Sequence, residues 1–86
     1  GDGQRYETCR VILVHVPPKF VGKTYETLVQ HAVDRKLLPV ALSRFPESRK
    51  KPYVFAHPRG HDVVGARDCA FVLVIRLSDL TEYRAV

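Results

Sequence analysis

Residues 8–16 (TCRVILVHV) and 69–76 (CAFVLVIR) are apolar at odd and even positions alike. In an extended chain, neighbouring side chains point to opposite faces. Val11 and Leu13 therefore fall on one side of the first run, and Ile12, Val14 and Val16 on the other. A strand greasy on both faces belongs in the middle of a sheet that is covered twice. Only one other segment has the pattern of a long covering helix. The chain must either find a second cover within its 86 residues or leave an apolar sheet face open. An apolar face without internal cover is a docking surface.

The covering helix starts near Thr24. This residue is a suitable N-cap, and Glu26 stands in the first turn, where a carboxylate complements the helix dipole. Tyr25, Leu28, Val29, Ala32 and Val33 follow at i, i+3, i+4, i+7 and i+8, an apolar stripe along a helix of about three to four turns. Arg35 and Lys36 place cations at its C-terminal end. Ahead of it, Pro17 and Pro18 end the first strand, because neither can donate to a ladder, and Gly22 lies in a tight turn.

Residues 38–45 (LPVALSRF) read as a second strand, with Leu38, Val40 and Leu42 on one face and the small Pro39, Ala41 and Ser43 on the other. Pro39 argues for an edge position, or for an N–H that faces no neighbour. A polar connection (PESRKKP) leads to a short third strand at residues 53–57, ended by Pro58. A loop at residues 59–68 follows, its Val63–Val64 pair expected to tuck back onto the body. The run at residues 69–76 is the last strand. Beyond it, Asp79 and Glu82 have capping-box spacing and Leu80 shares a face with Tyr83, which predicts a short C-terminal helix. The order is β-α-β-β-β in an α+β fold, with one main amphipathic helix on a mixed sheet. The whole of 1–86 forms one domain, its core at about 8–76 and a C-terminal segment at 77–86. A chain this short buries only about 60 to 65% of the surface its unfolded form exposes, so a lean core or one completed by a partner is expected.

Several function classes fall away. No apolar run approaches the roughly 18 to 20 residues that span a bilayer, and the opening GDGQRYE does not read as a signal peptide. The net charge is +5, yet the fourteen Lys and Arg are scattered. Only Arg49, Lys50 and Lys51 are consecutive, flanked at a distance by Arg44 and Arg59 and near Tyr53 and Phe55. A solvated loop accounts for them better than a nucleic-acid surface, since no glycine-aromatic RNA-binding motif accompanies them. Val21-Gly22-Lys23-Thr24 at a strand-to-helix turn suggests a phosphate loop. That motif needs glycine five residues before its Gly-Lys-Thr, where this chain has Pro17, and proline supplies no N–H to a phosphate nest. His15, His31, His57 and His61 read as surface or core-edge histidines, and His57 and His61 lack the shared helical face of a zinc site. Cys9 and Cys69 read as two reduced core thiols. No nucleophile, base and cleft are set out together, and no acidic run resembles a calcium loop. The chain is therefore expected to have no enzymatic activity, no catalytic, cofactor or metal residues, and no cofactor of its own.

Taken together, VILVHVPPKFVGKTYETLV, LLPVALSRF, KPYVFAHP and GARDCAFVLV resemble the C-terminal subdomain of an RCK domain, the regulatory domain of potassium channels and transporters. Gly22-Lys23-Thr24, Arg44 and Asp68-Cys69 occupy the helix start, strand end and final strand of that pattern. The similarity is closest to the end of the second RCK domain of calcium-activated (Slo or BK type) channels. It rests on Cys9-Arg10-Val11, Ala41-Leu42-Ser43-Arg44, Tyr53 to Pro58 and Arg67-Asp68-Cys69-Ala70-Phe71, with Ser43 standing where that family has tyrosine. The resemblance spans roughly residues 8–75. It implies a non-catalytic regulatory subdomain in the cytoplasmic gating ring of a membrane protein. Its partners would be the remainder of the RCK domain and neighbouring subunits of a tetrameric channel, and the isolated chain could self-associate. Calcium is implied for the parent protein and for no residue of this chain. The alternatives are the nucleotide-sensing C-terminal subdomain of a bacterial-type potassium transporter regulator, and a small basic nucleic-acid-binding domain.

Overall fold

A computed structural model describes residues 9–45 and 51–86. Four strands, β1 (Arg10–His15), β2 (Leu38–Arg44), β3 (Tyr53–Ala56) and β4 (Cys69–Val74), form one sheet in the order β1-β4-β2-β3. Helix α1 (Tyr25–Val33) connects β1 to β2, and single 3-10 turns lie at Pro18–Phe20 and Leu77–Leu80. This is the small α+β fold expected from the sequence, with a difference in the sheet. β1 and β2 run the same way, as a helical crossover requires, but β4 inserts between them and pairs antiparallel with both. With β2 and β3 also antiparallel, every ladder is antiparallel and the sheet is not mixed.

The insertion also corrects the expected strand positions. The last apolar run, β4, is central, whereas the equally apolar β1 is an edge strand. Part of its outer edge is covered by the chain's own C-terminal residues: His15 N–H donates to Arg84 O at 2.7 Å, Val86 N–H to Leu13 O at 2.9 Å, and Val14 bridges Ala85. Strand β2, given an edge position as one reading of Pro39, is interior. The other reading of Pro39 applies instead, because β3 pairs only with Ala41–Arg44 and no β3 residue stands opposite the proline. The register shifts between Pro39 and Ala41, so strict alternation fails there. Leu38 pairs with Leu73, Ala41 with Phe71 and Ser43 with Cys69 on one face, while Pro39 and Leu42 join Val72 and Ala70 on the other.

The core lies on that second face. Val14, Leu42, Ala70, Val72 and Val74 meet Tyr25, Leu28 and Ala32 of α1, together with Phe20, Leu37 and Val64. Of the valine pair, Val64 is buried and Val63 exposed. Thr24 caps α1 as its residue type predicts, its hydroxyl accepting from Thr27 N–H at 3.3 Å. The helix has nine residues, shorter than the periodicity suggests. Lys36 ends it in the left-handed region (φ 64°), which lets Leu37 N–H reach back to Ala32 O (3.0 Å) and Lys36 N–H to Val33 O (2.9 Å). Glycine is the usual residue in such a closure because it has no Cβ to crowd the carbonyl. Lys36→Gly is expected to stabilise the fold by about 0.5–1 kcal/mol, measurable as a shift in urea midpoint at unchanged slope.

The short C-terminal helix expected from the sequence is present as a 3-10 helix, without the α-helical continuation that a capping box would start. Residues Leu77–Leu80 make one 3-10 turn, and Thr81 at φ 45° stops any continuation. Leu80 and Tyr83 still share a face, as expected. Tyr83 N–H bonds Leu80 O at 2.7 Å, Leu80 packs on the core, and Tyr83 is its largest fully buried side chain.

Candidate functional site

Helix α1, Phe20 and Tyr83 all cover the same side of the sheet. The opposite side carries Val11, Leu13 and His15 from β1, Leu73, Phe71 and Cys69 from β4, Leu38, Ala41 and Ser43 from β2, and Val54 and Ala56 from β3, aligned by the strand registers. None of these side chains carries a fixed charge, in a chain whose net charge is +5. Val11 is 59% exposed, Val54 58% and Leu38 48%. The one face is closed by the chain's own residues; the other is an apolar surface that the described residues leave partly open, with Val11, Val54 and Leu38 exposed, Leu13, Phe71 and Leu73 intermediate and Ala41 buried. This is the face the two greasy runs called for.

The remaining sequence candidates sit elsewhere. Neither cysteine is a core thiol. Cys9 is exposed and Cys69 half-buried, because the strand starts they occupy lie at the rim and on the open face. Burial, with the neighbouring Asp68 charge, pushes the Cys69 thiol pKa up, which disfavours the reactive thiolate. His15, His57 and His61 are exposed and His31 is at the core's edge. No group of three or more His, Cys, Asp or Glu side chains stands together among the described residues. The amides at the start of α1, where a phosphate would bind, already have partners: Gly22 N–H donates to Val64 O (2.8 Å), Tyr25 N–H to Asp62 O (2.6 Å) and Glu26 N–H to Gly60 O (3.0 Å). Of the basic stretch, Arg49 and Lys50 lie outside the described residues. Arg44 is not a free cation. Its Nη2 donates to Val63 O at 2.7 Å, its Nε lies 3.3 Å from Asp68 Oδ2, and its guanidinium stacks 4.7 Å from the Phe55 ring.

Two polar groupings brace the module, and neither is legible locally. Asp68, largely buried, accepts from Gly65 N–H at 2.8 Å and pairs with Arg44. Arg44 Nε makes no hydrogen bond, so its contact with Asp68 is an ion pair only. On the helix side, Glu82 Oε1 receives Lys19 Nζ (3.2 Å), His31 Nε2 (3.0 Å) and Arg35 Nε (3.6 Å). His31 Nδ1 meets the Tyr83 hydroxyl at 2.7 Å. A neutral ring fits both contacts, with Nδ1 accepting from the phenol and Nε2–H left on the side of the carboxylate, where the contact is electrostatic. Burial lowers the His31 pKa, as do the charges of Arg35 and Lys19, while Glu82 and Asp34 pull it upward. The Tyr83 hydroxyl is pushed up to about 12, chiefly by burial and also by Glu82. Glu82 itself is held below its ordinary range, first by the Lys19 hydrogen bond.

A depressed histidine pKa sets a sign for stability. The unfolded chain takes up a proton near the ordinary value of 6.5, and the folded chain only at lower pH. Stability is therefore full above pH 6.5 and falls as the pH drops through the interval between the two values. His31→Gln is expected to flatten that fall between pH 7 and 5, measured by urea unfolding at a series of pH values; an unchanged slope would show that another group controls it.

No protein-family model matches the chain, and no curated protein matches it. No helix among the described residues is long and apolar enough to cross a membrane.

Proposed function

We propose that this chain is a non-catalytic regulatory subdomain whose open sheet face docks against another part of a larger assembly. The observation that carries the reading is the one-sided cover: a helix and a buried tyrosine close one face, and the other presents uncharged, half-exposed aliphatic side chains. An exposed apolar patch of this kind marks an interaction surface.

The assembly that fits best, on the RCK-like motifs, is the cytoplasmic gating ring of a calcium-activated potassium channel. Gly22-Lys23-Thr24, Arg44 and Asp68-Cys69 hold structural positions in the fold, which supports reading them as scaffold. Gly22 takes the left-handed turn (φ 82°), Thr24 the cap, and Arg44 and Asp68 the ion pair. In this reading ligand sensing lies in the parent protein, calcium included, and this subdomain contributes contacts that differ between closed and open states. Coupling between a ligand site and a pore is a free-energy difference of that sort.

The complete reading frame surrounding these residues is expected to encode a membrane-spanning potassium channel. In patches expressing it, Val11→Glu combined with Val54→Glu is expected to displace the activation curve. The same pair leaves the unfolding midpoint of the isolated chain nearly unchanged, because exposed substitutions shift stability by about 0.5 kcal/mol or less. A parent without any membrane span rules the channel reading out, and an unmoved activation curve rules out docking through this face.

A further inference from the structure

The C-terminal segment turns at a residue whose conformation suits another amino acid. Tyr83 N–H bonds Leu80 O at 2.7 Å and closes a four-residue turn. Its first central residue, Thr81, lies at φ 45° and ψ −111°. These angles are near those of a type II′ turn, where that position belongs to glycine. A β-branched residue held there is strained. Beyond the turn, residues 82–86 hold to the body through contacts far away in the chain. Tyr83 is fully buried in the core, and its hydroxyl meets His31 Nδ1 at 2.7 Å. Glu82 faces Lys19, His31 and Arg35. Arg84 O and Val86 N–H bond the edge of β1 on either side of the Val14–Ala85 bridge. The bond that closes the turn is local, and none of these others is.

We infer that two copies of the chain exchange residues 82–86, with Thr81 opened to an extended conformation as the hinge, so that each copy's Tyr83 fills the core of the other. The seat itself selects a second copy as the occupant. It takes a phenol against His31, a carboxylate beside Lys19 and Arg35, and an antiparallel segment on β1, which this segment supplies together. Opening the hinge gives up the turn bond, while the distant contacts re-form between copies, a route to dimers of low cost. The strain at Thr81 is relieved at both hinges, and a short hinge under strain favours exchange. The segment carries one Glu and one Arg, so it brings no net side-chain charge to a chain of net charge +5. The inference is independent of docking through the open sheet face.

The test combines size-exclusion chromatography and light scattering on residues 1–86 with a disulfide that reports which chain supplies the segment. Concentrated and equilibrated, the unaltered chain is expected to form a dimer that dissociates slowly on dilution, because exchange requires Tyr83 to leave the core. Thr81→Gly removes the strain and is expected to raise the dimer's Kd at least about thirtyfold, from about fivefold at each of two hinges. Val14 and Ala85 stand opposite each other as a pair without mutual hydrogen bonds, a spacing that a disulfide can bridge. In a variant with Val14→Cys and Ala85→Cys, and with Cys9→Ser and Cys69→Ser, oxidation is expected to join two chains in the dimer fraction. In the monomer fraction it closes within one chain. Circular dichroism of the reduced variant checks folding, and should it not fold, Thr81→Gly alone decides. A monomer at every concentration, or a Kd unmoved by Thr81→Gly, overturns the inference. So does a dimer fraction whose disulfide stays within one chain, which would assign self-association to the open face.

Discussion

Tyr83→Ala is expected to destabilise the chain by about 3–5 kcal/mol, the range for deleting a buried aromatic side chain. A domain of this size has a total stability on the order of 4–13 kcal/mol, so the variant should be largely unfolded in a few molar urea at most. The magnitude follows from three roles held by one residue. The ring is fully buried among core residues from the sheet and α1. Its hydroxyl meets His31 Nδ1 at 2.7 Å, tying the C-terminal segment to the helix. Its position also fixes Glu82 beside Lys19, His31 and Arg35, and Arg84 and Val86 against β1. Tyr83→Phe separates these roles. It keeps the ring and removes only the hydrogen bond, so a loss of about 1 kcal/mol is expected, with His31 keeping its contact to Glu82. Urea unfolding followed by far-ultraviolet circular dichroism measures both. A loss below about 1.5 kcal/mol for Tyr83→Ala would mean that the segment is not part of the cooperative core.

That role was only half visible in the sequence. The spacing of Leu80 and Tyr83 announced a shared face, but three residues apart suits a 3-10 turn as well as an α-helix, and Thr81 decides for the turn. Glu82 was legible as a capping carboxylate and is instead the hub of an ion cluster, because its partners come from the first loop and the helix, far away in the chain. No local pattern encodes such a meeting. Helix α1 was legible because its signals are local: the Thr24 cap and the stripe of Tyr25, Leu28 and Ala32 each act within a few residues.

Strand order lies at the other extreme. Apolarity on both faces marks β1 and β4 equally, yet one is at the edge and the other in the centre. The difference arises from which strand inserts between β1 and β2, a choice made by long-range packing. The residues 84–86 that cover part of the β1 edge offer one physical reason a greasy strand is tolerated there. The open face, by contrast, was legible as a deficit: two double-faced strands and one long helix leave a surface over, whatever the order of the strands. Cys9 and Cys69 were misplaced for the same reason that the order was, since a thiol in an apolar run is buried only if that end of the strand is.

Asp68→Ala is expected to cost about 2–4 kcal/mol, the penalty for stranding the partner of a largely buried ion pair and removing a backbone cap. The carboxylate holds the turn at Gly65 through its N–H and balances Arg44, whose guanidinium in turn reaches Val63 O across the loop. Val64, next along, is buried in the core, and its backbone exchanges hydrogen bonds with Gly22 and Lys23. Asp62 and Gly60 of the same loop accept from Tyr25 and Glu26 at the start of α1. Loosening Asp68 should therefore be felt at the helix start, where the amides of Gly22, Tyr25 and Glu26 are expected to lose hydrogen-exchange protection before those of β4. Asp68→Asn tests charge apart from shape: its amide oxygen can still accept from Gly65, so the turn stays and Arg44 alone loses its counter-charge. Adding Arg44→Ala to Asp68→Ala should recover part of the loss, because no stranded cation remains, and the recovery in that double-mutant cycle measures the pair. Additive losses, with the helix-start amides fully protected, would show that Arg44 and Asp68 are neighbours without coupling and that the loop is held by its backbone bonds alone.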